Sequence, residues 1–207
     1  MARLIDITST LSSRLATWPG DSGFQREVRA SHAAGDRCEV SSLHSTAHAG
    51  THADAPIHIL AGAPPLDAVA LEPYWGPCQV IQVALPPRAR ILPEHLTVAI
   101  SAPRVLFRTD SYPDPERFVE TFNALSPELL AWLHSQGVVL VGLDTPSVDP
   151  FDSVTLESHH ALFQLGMRCL EGLVLAHVPP GSYELSALPL KVEGGDGSPV
   201  RAALREA

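Results

Sequence analysis

A mixed α/β fold built on a substantial sheet is what this chain of 207 residues predicts. Three observations carry that expectation. Short apolar or alternating runs outnumber helical stretches, and one segment carries a full set of helix-start signals. The 19 prolines sit mostly between these runs, as in Pro64-Pro65, Pro86-Pro87 and Pro179-Pro180, where a residue without an amide donor does least harm. Hydrophobic residues make up 45% and charged residues 18%, an ordinary globular composition, so a single domain over residues 1–207 is the simplest organisation.

Arg3 to Thr8 alternates apolar and polar side chains as a short strand does, and Trp18-Pro19-Gly20-Asp21 reads as a turn. Phe24 to Ala30 and Cys38 to His44 flank Gly35-Asp36 and predict a hairpin with a longer loop. Further strands are expected over Cys78 to Leu85, Arg104 to Thr109, Val138 to Asp144, Leu170 to Val178 and Tyr183 to Leu190. The clearest helix starts at Ser126-Pro127-Glu128, a capping hydroxyl, a proline suited to the first turn and an early acid, and ends at Gly137. A second helix is expected from Ser158 to Leu165, with Gly166 as its stop.

Charge and cysteine content narrow the function classes. A net charge of -9 with no local Lys/Arg cluster opposes binding to nucleic acid or an anionic membrane, which leaves a small molecule as the expected partner. Asp6 interrupts the apolar run a signal peptide would need, and no later stretch approaches membrane-span length, so a cytoplasmic location is expected. Cys38, Cys78 and Cys169 are odd in number and lack a CxxC pair, which predicts buried free thiols.

The chemistry concentrates between residues 48 and 58. In His48-Ala49-Gly50-Thr51-His52-Ala53-Asp54-Ala55-Pro56-Ile57-His58 every potential ligand occupies an even position. An extended chain would project all of these groups to one side, whereas a helix would separate Asp54 and His58 from His48 and His52. Gly50 and Pro56 also disfavour a helix. Neutral imidazoles plus a carboxylate suit zinc or manganese, and three protein ligands leave a coordination position open for water. A second cluster, Glu157, His159, His160 and Glu171, lies far along the chain. One continuous helix would hold His159 and Glu171 about 18 Å apart, but a helix ending at Gly166 and a returning strand would bring them level. On residue types alone, a solvated helix start competes with metal binding here. His32, His44, His95, His134 and His177 have no such neighbours and are expected to be satisfied surface or core residues. Asp144 reads equally as support for a ligating imidazole or as a turn residue, and Lys191 is undecided.

The pattern His-x-Gly-Thr-His-x-Asp-x-Pro-x-His resembles the defining motif of the metal-dependent cyclase family, whose members include bacterial kynurenine formamidases. Leu4-Ile5-Asp6-Ile7, Trp18-Pro19-Gly20-Asp21, Gly142-Leu143-Asp144-Thr145-Pro146-Ser147-Val148-Asp149 and the stretch from Leu188 through Lys191 to Pro199-Val200-Arg201 are similar to the formamidase branch, so the likeness spans nearly the whole chain. The resemblance implies a swivelling β/β/α domain with a mixed sheet, assembled as a homodimer. It implies two zinc ions, with manganese as an alternative: His48, His52 and Asp54 on one, Asp54 bridging to the second, and His159 and Glu171 completing the pair. His160 competes with His159 for that place. It further implies His58 as the proton-transfer residue and Trp18 as the wall for an aromatic substrate. The implied activity is hydrolysis of N-formyl-L-kynurenine, an aryl formamide, to L-kynurenine and formate. A relative opening a cyclic amide of the isatin kind, and a metal-binding or ligand-sensing module without turnover, are the competing readings.

Overall fold

The computed structural model describes residues 3–206. In chain order its elements are β1 (Leu4–Asp6), β2 (Gln25–Ala30), β3 (Val40–His44), β4 (His52–Asp54), β5 (Trp75–Gln82), β6 (Arg90–Ile91), β7 (Arg104–Arg108), β8 (Ala124–Leu125), α1 (Pro127–Ser135), β9 (Leu140–Leu143), α2 (Glu157–Gln164), β10 (Arg168–Glu171), β11 (Gly181–Ser186), β12 (Gly197–Pro199) and β13 (Ala203–Glu206). Nine strands form one mixed sheet in the order β1-β13-β11-β5-β7-β9-β10-β4-β12. The pairs β5-β7, β7-β9 and β9-β10 are parallel, and antiparallel strands flank them on both sides.

The central strands are buried on both faces, as parallel strands are when helices or curled sheet cover them. Ile81, Val105, Phe107, Val141, Leu143 and Cys169 point to one side and pack under Leu129, Leu130 and Leu133 of α1 and Leu162 of α2. Alternate residues Val80, Leu106, Leu140 and Leu170 point to the other, where they meet Ile5, Leu185 and Leu204 from one end of the sheet and Ala53 from near the other. Strands from both ends sharing one cluster means that the sheet curls round an apolar centre, giving the α/β fold with mixed sheet that the sequence led us to expect.

Helix α1 follows its sequence signals closely. The Ser126 hydroxyl accepts from the Leu129 amide at 3.0 Å, Pro127 opens the first turn, and Gly137 takes φ +84 just past the end. Helix α2 runs one residue earlier than expected, over Glu157–Gln164, and Gly166 follows it at φ +73. The β2-β3 hairpin forms with a register shift between Val28 and Ala30.

Several expectations are corrected. The strand expected over Leu170 to Val178 is instead Arg168–Glu171, because Gly172 turns the chain at φ +63. That glycine also lies against the loop preceding β4: a Cβ there would stand 2.2 Å from the Gly50 carbonyl oxygen. The strand expected over Tyr183 to Leu190 is Gly181–Ser186, which leaves Leu190 exposed. Strands β12 and β13 were not anticipated, since runs of three and four residues are too short to show a period. Cys78 and Cys169 are buried as expected, but Cys38 is exposed next to the hairpin, where no core is available to cover it.

The closeness of Gly172 to Gly50 is the joint between the two halves of the site. Replacing Gly172 with Ala imposes both a left-handed backbone on a residue with a Cβ and a clash with backbone, and should cost about 2 kcal/mol or more. Thermal unfolding of Gly172→Ala is therefore expected about 4–8 °C below wild type, and an unchanged midpoint would show that the close approach is not needed.

Candidate metal centre

Sheet register places the first two groups. In the antiparallel pair β10-β4, Glu171 lies opposite His52, and Asp54 follows two residues along β4 on the same side. The ladder is held at its end by Thr51, whose hydroxyl donates to the Gly172 carbonyl at 2.6 Å and accepts from the Ser9 amide at 2.8 Å. Helix α2 brings the fourth group: His159 Nε2 lies 3.4 Å from Asp54 Oδ2 and 3.3 Å from Glu171 Oε1. His52 Nε2 makes the matching approaches, 3.3 Å to Asp54 Oδ1 and 3.3 Å to Glu171 Oε2. His48 Nδ1 reaches Asp54 Oδ1 at 2.8 Å. His48, His52, Asp54, His159 and Glu171 are thus brought together, and His159 is the histidine that faces the centre; His160 joins none of these contacts.

The even-position pattern produces this convergence only in part. His52 and Asp54 share the side of one strand, but His48 arrives from a turn, released by Gly50 at φ +61. His58 arrives from a short 3-10 turn over Pro56–His58. Its ring centroid lies 4.2 Å from that of His48 and 6.0 Å from that of His159. Ligand atoms of His48, Asp54 and His58 lie within 4.8 Å of one another, as do those of His52, Asp54 and Glu171. Position alone therefore gives His58 the reach of a ligand as well as that of a proton-transfer group.

Each imidazole is oriented by a partner behind it. His52 Nδ1 donates to the Gly50 carbonyl at 2.9 Å, which leaves Nε2 free to face the centre. His159 Nδ1 donates to Asp149 Oδ2 at 2.8 Å, and Asp149 also accepts from the His159 and Ser158 amides. Asp149 and Asp196, which contacts His48 Nε2 at 3.1 Å, were not picked out from the sequence. The only available signal for Asp149 was its place at the end of the motif-like segment 142–149. Asp144, weighed for this supporting role, instead accepts from Thr109 and Asp110 and contacts none of the histidines. His32, His95 and His177 bond main-chain groups near them, and His44 pairs with Glu27 at the surface, in keeping with their ordinary reading.

The electrostatics of the centre call for positive charge. Burial alone would raise the Asp54 carboxyl, but bonds from His159, His48 and His52 outweigh it and hold it well below the usual range. Burial and the neighbouring Asp54 push Glu171 up, and His159 and His52 bring it net down. Burial works against charging His52, yet Asp54 and Glu171 lift it to about 10. His159 is likewise raised, with Asp149 as its strongest support against burial. Two buried acids that draw protons onto their imidazoles are a pocket that stabilises cations. Borderline nitrogen donors with carboxylate oxygens are the donor set of zinc or manganese. The Cys169 thiol lies 3.6 Å from Asp54 Oδ2, and burial, with Asp54 and Glu171, pushes its pKa up.

The centre forms the floor of a cavity of about 510 Å³. Trp18, Tyr112, Phe118 and Phe151 line it, and the Trp18 ring lies 5.5 Å from Phe118 and 5.2 Å from Phe151. A buried set of nitrogen and carboxylate donors opening onto an aromatic-walled cavity is a site that can hold a metal ion beside an aryl group. Residues 5–150 match the Cyclase family model, and the chain belongs to that family. It is 46% identical to the kynurenine formamidase of Bordetella petrii over 100% of this chain and 99% of that protein. It is 44% identical to the kynurenine formamidase of Salinibacter ruber over 99% and 98% of the two chains. Among solved structures, isatin hydrolase A from Labrenzia aggregata superposes with a TM-score of 0.84 at 23% identity, over 99% of this chain and 93% of that one. An isatin hydrolase bound to the product analogue thioisatinate gives 0.86 at 20% identity, over 99% and 92%; at such identities the likeness concerns the fold.

Asp149 is expected to act on metal affinity through His159. Asp149→Ala frees the imidazole and should weaken zinc binding about tenfold to a hundredfold in chelator competition. Wild-type affinity in the folded variant would remove Asp149 from the support of the site.

Proposed function

We propose that this protein hydrolyses N-formyl-L-kynurenine to L-kynurenine and formate. The observation that carries the reading is the convergence of His48, His52, Asp54, His159 and Glu171 beneath a cavity walled by Trp18 and three further aromatic rings. The full-length likeness to formamidases supports the choice of a linear aryl amide.

We take the resident metal to be a pair of zinc ions, with manganese compatible with the same donors. His48, His52, Asp54, His159 and Glu171 would hold the metal. A divalent cation bound there supplies Lewis-acid activation of water near neutral pH. The residues themselves do the rest. His58 is the proton-transfer group: burial, reinforced by His48 and His159 and partly opposed by Asp54, keeps its imidazole below its ordinary value. It is therefore neutral at pH 7, able to accept a proton from the attacking water and then to donate one to the departing aryl amine. Trp18 is half-buried and presents its ring to the cavity, so an aryl group can pack against it with about 1 kcal/mol beyond area burial. Asp54 and Glu171, buried away from bulk water, keep the donor set fixed.

A homodimer is part of the same reading. Among the described residues the β2-β3 hairpin pairs with no other strand, and it exposes Val28, Val40 and Leu43, whereas an isolated hairpin is marginally stable in water. A second subunit covering it resolves that conflict. No helix among the described residues is long and apolar enough to cross a membrane, and we place the enzyme in the cytoplasm.

Purified protein assayed with N-formyl-L-kynurenine, with and without chelator, tests the activity. Chelator-sensitive release of formate is expected, and faster opening of a cyclic aryl amide such as isatin would transfer the assignment to that reaction. His58→Ala should retain metal and lose about a hundredfold or more in kcat; undiminished turnover excludes the proton-transfer role. Trp18→Ala should raise KM about fivefold, the equivalent of roughly 1 kcal/mol of lost stacking, and an unchanged KM would place the substrate ring elsewhere.

A further inference from the structure

We infer that Asp196 is a positioning residue of the metal centre, a carboxylate that sets the orientation of His48 by holding one of its ring nitrogens. The inference rests on the metal-dependent reading of the site, although not on the identity of the substrate. Asp196 Oδ2 lies 3.1 Å from His48 Nε2 and 3.9 Å from His58 Nδ1. It stands in Gly194-Gly195-Asp196-Gly197, a stretch that composition alone marks as a loop.

That stretch is fixed in place by backbone bonds. Strand β12 pairs with β4 in a register that sets Gly197 opposite Asp54. The Asp196 carbonyl accepts from the Ala55 amide at 2.8 Å, and the Gly195 carbonyl accepts from the Leu66 amide at 2.8 Å. Gly197 lies so close that a Cβ would stand 2.8 Å from His48 Cε1 and 3.1 Å from the Ala53 carbonyl oxygen. The absence of a side chain at Gly197 leaves room for the His48 ring beside Cε1 and Nδ1, while the Asp196 side chain holds Nε2.

His48 needs such a partner more than the other imidazoles do. His52 is held by the Gly50 carbonyl and His159 by the buried Asp149. His48 comes from a turn, and Asp196 is the group that holds Nε2 while Nδ1 faces Asp54. Imidazoles that bind metals are commonly fixed in this way, by a carboxylate or carbonyl on the second nitrogen. Asp196 differs from Asp149 in being exposed, with 56% of its side chain open to solvent, so its removal leaves the core untouched. His58 Nδ1, at 3.9 Å, lies beyond hydrogen-bond reach of the same carboxylate, so the restraint falls on His48.

The test compares Asp196→Ala, Asp196→Asn and wild type in zinc affinity by chelator competition and in kcat and KM for the formamide. Asp196→Ala should bind zinc about tenfold to a hundredfold more weakly. At saturating zinc it should still lose at least about tenfold in kcat with KM within about twofold, because the His48 ring is no longer held in one orientation. Asp196→Asn keeps an oxygen that can accept from Nε2 and should fall between the two. A folded Asp196→Ala protein with wild-type zinc affinity and kcat would overturn the inference. Should Asp196→Ala fail to fold, Asp196→Asn decides: loss of the carboxylate charge behind Nε2 must weaken zinc binding, and unchanged affinity there counts against the inference. Failure of wild type to cleave the formamide would tell against the proposed substrate and leave the zinc comparison fully interpretable.

Discussion

Asp54 and Glu171 are buried side by side, and the structure around them answers to that constraint. Two carboxylates out of water repel each other and lose their hydration, a combination that is costly unless positive charge lies between or beside them. Three imidazoles supply directed nitrogen atoms at 2.8 to 3.4 Å from these oxygens. The arrangement is one that a cation stabilises, since both acids raise the proton affinity of His52 and His159 against the effect of burial.

Holding this unfavourable pair requires rigid backbone, and the sheet provides it. Glu171 and His52 face each other across one antiparallel register, Asp54 and Gly197 across the next, so three strands fix the floor of the site. Parallel strands β9 and β10 tie that floor to the apolar core. Where the sheet ends, groups without side-chain bulk take over. Gly172 lets backbone approach within a distance that a Cβ would forbid, Gly197 leaves room for the His48 ring, and Gly50 turns the chain at φ +61. Helix α2 is anchored to the same floor through Asp149, which binds the amides of Ser158 and His159 as well as the His159 ring.

Polar and apolar requirements are separated in space. The donors lie at the bottom of the cavity and the aromatic rings on its walls, so an aryl group can be held by contact while an attached amide reaches the reactive end. His58 stands at the border between the two zones, more exposed than His52 or His159. That location suits a group that must exchange protons with substrate and solvent in turn.

Much of this was legible along the chain. The motif from His48 to His58 named its donors by residue type, the capped start at Ser126 and stop at Gly137 outlined α1, and β-branched runs located the central strands to within a few residues. Such features are encoded locally, in side-chain chemistry and backbone preference. The choice of His159 over His160 became evident only when α2 was seen packed, because neighbouring helix residues point about 100° apart and nothing local says which one faces inward. Asp149 and Asp196 reach their histidines through strand register and loop closure across as many as 148 positions, and a carboxylate in a turn looks the same whether or not a ring lies behind it. Sequence alone therefore determined which atoms are available to bind a cation and the class of fold that carries them. Tertiary structure decided how they are aimed, because direction is set by long-range pairing and by close backbone approaches that leave no periodic trace in the chain.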